Sequence, residues 1–470
     1  MFDEKEILNL GLDYVRRKEY DQAIVIFSRL IELSPKCSQA YYCCGNACEM
    51  LGKFSQAIEC YSSVLKYSPN ESIAYYNRGC AYMKYGEPQK AIHEFTQAIQ
   101  LKPDDSKSWY NRGMVHFSLG NIDAAFDDYN QAIACDANDA DAYVARGLVH
   151  IVRKNVDAAI EDYDRAIECD PDHLKAHGNR GNALEMKEMF AEAIREYNVV
   201  ITLNAEDHRA YMNRGYVHFT TKNYEEALAD YAKALELSPS NVKSLCCRGS
   251  VYIKLNKNRR ALEDFDRAIE LTPKNGEAFL NRGQAKLAIG DTDGALADFN
   301  EAIRIDPANT KAWYNCGVIH AKTGDFAEAI NDYTEVLKHV PDDSQAYCYR
   351  GVVHTRMGDM DDALRDYDRS LEIAPDYAIA WYNRGLVLRF QGHYQEAIDS
   401  FSNAIRLSPE YIPAYQNRAV TYDMLGNREE AESDLTTVDD LEKIKNAKHT
   451  ALVSPGKAKI SPEVLPEPQS

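Results

Sequence analysis

The sequence predicts an all-α protein built as a solenoid of about thirteen helix-turn-helix units, and three observations carry that prediction. The tripeptide Asn-Arg-Gly occurs at Asn77-Arg78-Gly79, Asn111-Arg112-Gly113, Asn179-Arg180-Gly181, Asn213-Arg214-Gly215, Asn281-Arg282-Gly283 and Asn383-Arg384-Gly385, and every step between copies is a multiple of 34 residues. Written in rows of 34 from Glu4, the chain fills thirteen rows to Lys445 without insertion or deletion, the rows starting at 4, 38, 72, 106, 140, 174, 208, 242, 276, 310, 344, 378 and 412. Small residues and helix breakers recur at fixed positions of the row. A fixed period of this length means one supersecondary unit stacked on itself, with contacts mainly between neighbours.

The row explains its own elements. Position 8 is Gly in twelve rows, from Gly11 and Gly45 to Gly385, and Ala419 in the thirteenth; position 20 is Ala in all thirteen, from Ala23 to Ala431. Two small residues let two helix backbones approach closely, which closes a helical hairpin. Position 15 is Gly in eight rows (Gly52, Gly86, Gly120, Gly290, Gly324, Gly358, Gly392 and Gly426). A left-handed residue there ends the first helix. Position 32 is Pro in ten of twelve rows, Ala137 and Ala205 being the exceptions; a helix interior rejects proline, so the second helix stops before it. In the last row the second helix, around Asn427 to Ala447, turns to Glu, Lys and Asp, a polar cap for the end of the stack. The predicted domains are the array over 4–445 and a Pro- and Ser-containing tail over 449–470, which has no apolar face to bury and is expected to be disordered.

Composition narrows the function classes. A formal charge of -19 and a pI near 5.1 argue against a phosphate-binding surface, and so against nucleic acid as partner. No apolar run approaches the roughly 20 residues needed to span a bilayer, and the start, Met1-Phe2-Asp3-Glu4-Lys5-Glu6, is charged rather than signal-like. A cytoplasmic protein without membrane insertion is expected. The twelve cysteines show no recurring Cys-x-x-Cys pair, so they are expected to be reduced, mostly buried thiols, with no metal and no cofactor.

With its large residue at position 4 (Trp109, Trp313, Trp381, Tyr in most other rows), small residues at 8 and 20, aromatic at 24 (Phe27, Tyr129, Tyr163, Phe265) and Pro at 32, the chain resembles the tetratricopeptide repeats. The resemblance implies a right-handed superhelix whose first helices line the inner, concave wall. One position departs from it: position 7, usually apolar in that family, is Arg in ten rows, and position 23 is acidic in nine of the same rows, from Glu94 and Asp128 to Asp366 and Asp434. In the first two rows both charges are absent together, Leu10 with Ile26 and Cys44 with Cys60. Positions 7 and 23 lie at the same height of an antiparallel hairpin, so an Arg-carboxylate pair is predicted inside nearly every repeat. Arg384 faces Ser400, with Asp399 beside it, and Asp332 faces Cys316.

Position 6 carries the candidate binding residues: Asn77, Asn111, Asn179, Asn213, Asn281, Asn315 and Asn383. An amide both donates and accepts, so a ladder of them suits the main chain of an extended peptide; bridging to a neighbouring helix is the structural alternative. The ladder is similar to that in the repeat domain of O-GlcNAc transferases, which implies the same use. Tyr76, Tyr110, Met114, Phe117, Tyr216 and Phe219 flank it as anchoring groups for a partner peptide. Some family members clamp acidic carboxyl-terminal chaperone peptides; Asn46, Asn77 and Lys107 match that clamp, but Tyr42 and Asn111 replace its Lys and Arg. Histidines at position 11 (His116, His150, His218, His320, His354) fall one per repeat, too far apart to share a metal. No nucleophile-base pair or phosphate loop is present, so no catalytic residue is expected. The expected function is a scaffold holding a protein or peptide segment in its groove; co-chaperone action and packing in a larger assembly through the convex face are the alternatives. The oligomeric state is not encoded legibly.

Overall fold

The structure, a computed structural model, describes residues 3–452, with side chains to Lys445. It is all-α: 26 helices and no strand among the described residues. The first helix of each hairpin begins at Glu4, Ser38, Ser72, Ser106, Ala140, Leu174, His208, Val242, Gly276, Thr310, Ser344, Ala378 or Ile412, the first residue of each sequence row. First helices are 13 or 14 residues long and second helices 14, until the last, Arg428–Leu452, which has 25. That helix enters the stretch assigned to the tail, which from 453 onward lies outside the described residues.

The chain divides into two compact units, Met1–Pro239 and Ser240–Ser470. Inside each, hairpin packs on hairpin in chain order, and the first helices of successive repeats approach one another while second helices do not do so to the same degree. First helices therefore line the inner side of each unit.

The hairpin closes on the residues at positions 8, 20 and 24. Ala159 and Tyr163 are fully buried, and a Cβ added to Gly147 would come 2.5 Å from Tyr163 Cε1, so the ring occupies the space that a side chain would need. Where the chain has Ala419 instead of Gly, position 24 is Leu435 rather than an aromatic. The turn at position 15 is left-handed at all eight glycines, and also at Lys18, Lys154, Glu188, Lys222 and Asn256 in the remaining rows. Two further devices fix the loop between repeats. Asp105, Asp139, Asn275, Asn309 and Asp343 cap the next first helix by accepting from a backbone N–H, and Trp109, Trp313 and Trp381 donate their indole N–H to the carbonyls of Pro103, Pro307 and Pro375 at 2.9–3.0 Å.

The Arg-carboxylate pairs are present in nine repeats. Arg112 Nη2 lies 2.7 Å from Asp128, Arg146 Nη2 2.6 Å from Asp162, and Arg350 Nη2 2.7 Å from Asp366, with each carboxylate nearly buried. Most of these arginines do more than hold their own hairpin, because Nη1 donates to position 25 of the preceding repeat: Arg78 to Ser62, Arg112 to Thr96, Arg146 to Asn130, Arg282 to Asp266 and Arg418 to Ser402, at 2.7–3.0 Å. Arg180 Nη1 donates instead to Glu196 of its own repeat at 3.1 Å. The guanidinium also lies over the position-4 ring, 4.8 Å for Arg112 on Trp109 and 5.3 Å for Arg282 on Phe279. Arg384 pairs with Asp368 at 2.7 Å, not with the neighbouring Asp399, and donates to Ser400 at 2.9 Å.

Candidate functional site

The position-6 asparagines are half-buried on the first helices, and most bond to the preceding repeat. Asn77 Nδ2 donates to Tyr42 Oη at 3.1 Å and to Asn46 Oδ1 at 3.2 Å; Asn111 Nδ2 donates to Tyr76 Oη at 3.1 Å and to its own helix at Lys107 O. Asn213 Nδ2 donates to Asn182 Oδ1 at 2.9 Å, and Asn383 faces the Cys348 sulfur at 4.0 Å. Asn315 is buried and turned onto Lys311 O at 3.0 Å. The donor half of the ladder is thus largely used between repeats. Asn179 and Asn281 have no hydrogen-bond partner among the described residues.

Around Asn179 the first unit opens a recess of about 350 Å³. Asn179, Asn182 and Asn213 line it, with Lys175 and Arg209 at its rim. Asn182 Oδ1 accepts from Tyr197 Oη at 2.8 Å as well as from Asn213, so its amide nitrogen remains a donor toward the opening.

A second recess, about 210 Å³, lies along the same inner side and is lined by Tyr110, Met114, Phe117, Val144 and Leu148, with Lys175 shared between the two. Met114 and Phe117 pack on the cluster of Ala125, Tyr129 and Val149 beneath. Burial, then Asp141 and Asp139, pushes the Tyr110 phenol up to about 12, so it stays a neutral hydroxyl at physiological pH. The other flanking residues are spread out. Tyr76 lies against Phe95, ring centroids 5.9 Å apart; Phe219 lies against Tyr224 at 6.0 Å; Tyr216 is exposed.

Models described as tetratricopeptide repeat match residues 7–36, 76–140, 140–173, 162–195, 208–241, 248–310, 286–348 and 342–410, and a TPR repeat model matches 50–86. The chain belongs to the tetratricopeptide repeat family.

Tetratricopeptide arrays are in general scaffolds for protein-protein interaction. Among solved structures, the Cut9-Hcn1 hetero-tetramer of the APC/C is similar over 93% of this chain and 94% of that one, at 16% identity and a TM-score of 0.41. Yeast Tom70 is similar over 89% of this chain and 96% of its own, at 19% identity and a TM-score of 0.42. YrrB, described as a TPR protein with an unusual peptide-binding site, is similar over 39% of this chain and 95% of its own, at 27% identity and a TM-score of 0.34. No curated protein matches the chain.

Within this tetratricopeptide array, sequence reasoning met Asn182 only as part of a second partial match to the peptide clamp, with Asn213 and Lys243 but with Gly178 and Cys247 where the clamp has cations, and it missed Lys175 and Arg209. Lys175 and Arg209 sit at positions 2 of successive repeats and Asn182 at position 9, each sharing a helix face with position 6 (i±3 or i±4); that shared face was the available signal. At the clamp positions, Asn46 and Asn77 are bonded to each other, and Tyr42, standing where the clamp has Lys, is bonded to Asn77. No described helix is long and apolar enough to cross a membrane.

Proposed function

We propose that the protein is a non-enzymatic scaffold that holds an extended or helical segment of a partner protein along the first helices of its amino-terminal unit. The observation that carries this reading is the pair of recesses joined at Lys175: an apolar one at Tyr110, Met114 and Phe117, and an amide-lined one at Asn179, Asn182 and Asn213. An apolar side chain fits the first and main-chain amides of the segment meet the second, while Lys175 already stands 4.0 Å from Asp141 and Asp207 lines the recess beside Arg209. The remaining ladder asparagines, Asn77, Asn111, Asn281, Asn315 and Asn383, serve this reading less well, because most already donate between repeats or are buried. Twelve cysteines without a repeated pairing pattern support a reducing, cytoplasmic setting.

The test is selection of a random peptide library on the full chain, followed by affinity measurement with variants. Met114→Glu and the double change Asn179→Ala with Asn213→Ala should each weaken the selected peptides at least about tenfold, with affinities compared at a temperature where a thermal melt shows each variant fully folded. Peptides that bind all three proteins equally would place the binding surface elsewhere.

A further inference from the structure

Positions 7, 11 and 23 of the repeat converge on one point, and charged side chains show this in several repeats. In the fifth repeat Arg146 Nη2 is 2.6 Å and His150 Nε2 3.7 Å from Asp162. In the eleventh, Arg350 and His354 meet Asp366 in the same way, at 2.7 and 3.9 Å. The second repeat has cysteine at all three positions: Cys44 and Cys48 on the Ser38–Met50 helix and Cys60 on the Phe54–Tyr67 helix. Their sulfur atoms all lie within 4.8 Å of one another, and Cys44 and Cys48 are buried.

The first repeat, which also lacks the Arg-carboxylate pair, carries Leu10, Tyr14 and Ile26 at the same three positions, but Leu10 there is 47% exposed whereas Cys44 is 4% exposed. Three thiols gathered on two adjoining helices, four residues apart on one of them, are the donor set that thiophilic d10 ions select. Sulfurs bound to one Zn²⁺ at about 2.3 Å stand about 3.8 Å apart, which these side chains reach by shifts of an ångström or less.

We propose that Cys44, Cys48 and Cys60 form a three-thiolate site for a soft d10 metal ion, with Zn²⁺ as the ion that fits the charge. Binding forms three metal-sulfur bonds as the three sulfurs give up their protons to solvent, so that three thiolates and one Zn²⁺ leave one net negative charge at the site. The fourth position is open to Gln56, whose Oε1 lies 3.9 Å from the Cys48 sulfur, or to water.

The experiment uses the full chain, reduced and stripped with chelator, titrated with Zn²⁺ against a chromophoric chelator, with Cd²⁺ for its sulfur charge-transfer band and Cu⁺ as a competitor. Wild type should take up one tightly held Zn²⁺, show a cadmium-thiolate band of three-sulfur intensity and release protons on binding. The variant Cys44→Ser, Cys48→Ser, Cys60→Ser exchanges only sulfur for oxygen at these positions, and its thermal melt beside wild type shows that it is folded. It should lose the site with at least about a 100-fold drop in affinity, whereas Cys316→Ser should bind as wild type does. Displacement of Zn²⁺ by Cu⁺ with retention of the three-sulfur band would keep the site and reassign its ion. No uptake of any of the three ions, or equal uptake by the triple variant, would overturn the proposal.

Discussion

Asp332 is buried at position 23 of the tenth repeat, and opposite it stands Cys316 where ten other repeats have Arg. Burial pushes its carboxyl up to about 6, against the opposing bond from His320 Nδ1 at 2.7 Å. A folded pKa above the unfolded value of 3.8 means that this group favours the fold below about pH 4. That contribution is lost as the pH rises through 6, on the order of 3 kcal/mol at neutral pH. The partners that an arginine would use are already in place: Asp332 across the hairpin, Asn300 3.9 Å from the Cys316 sulfur, and the Trp313 ring at position 4. Cys316→Arg should therefore stabilise the protein, by about 1–2 kcal/mol at pH 7.5, and the gain should shrink toward pH 4.5, where Asp332 of the wild type is already neutral. Thermal melts of both proteins at the two pH values check this; a gain that grows toward acid would refute it. The Arg-carboxylate pairing was readable because positions 7 and 23 change together within one row. The second contact, to position 25 of the row before, was not. It crosses the row boundary, and its acceptors are a mixture of Ser62, Thr96, Asn130 and Asp266, which share hydrogen-bonding capacity but no charge.

At the scale of the hairpin, the turn is set by backbone geometry and only secondarily by residue type. Lys154 and Lys222 have φ of 59° and 62°, the left-handed conformation that glycine adopts at Gly120 and Gly290. A side chain in that region costs about 1 kcal/mol or more, and the tertiary contacts of the hairpin impose it regardless. Lys154→Gly should consequently raise stability by a few tenths to about 1 kcal/mol, glycine's larger unfolded-state entropy offsetting part of the relief. The readout is slower amide exchange in the Val156–Cys169 helix, and faster exchange there would contradict the argument. Helix stops were legible because breakers recur: Pro103 and Gly120 each mark a boundary that backbone chemistry dictates. The candidate site was legible only in part. Asn179 and Asn213 do meet in one recess, but a row of identical asparagines says nothing of which amides are consumed by Tyr42 or Tyr76 one repeat away, since that depends on a neighbour 35 residues distant.

Over the whole molecule the balance of charge matters more than any one pair. The chain carries 73 acidic and 54 basic residues, and the node arginines spend their charge inside the hairpins, where side chains such as Arg112 and Asp128 are 17% and 5% exposed. The excess negative charge is thus left to the surface. Exposed i,i+3 pairs such as Arg29 with Glu32 compensate little of it, each being worth about 0–1 kcal/mol. Helices pack 8–10 Å apart, so at about 0.01 M salt, with a Debye length near 30 Å, surface carboxylates repel across several repeats; at 0.15 M the reach falls to about 8 Å, within one. Screening should relieve this repulsion more than it weakens the buried nodes, which ions do not enter. The thermal midpoint should accordingly rise by a few degrees between 0.01 and 0.15 M NaCl, with the rise largely complete once the Debye length is shorter than one repeat. A midpoint that falls over the same range would mean that exposed ion pairs, rather than the buried Arg-carboxylate nodes, hold the repeats together.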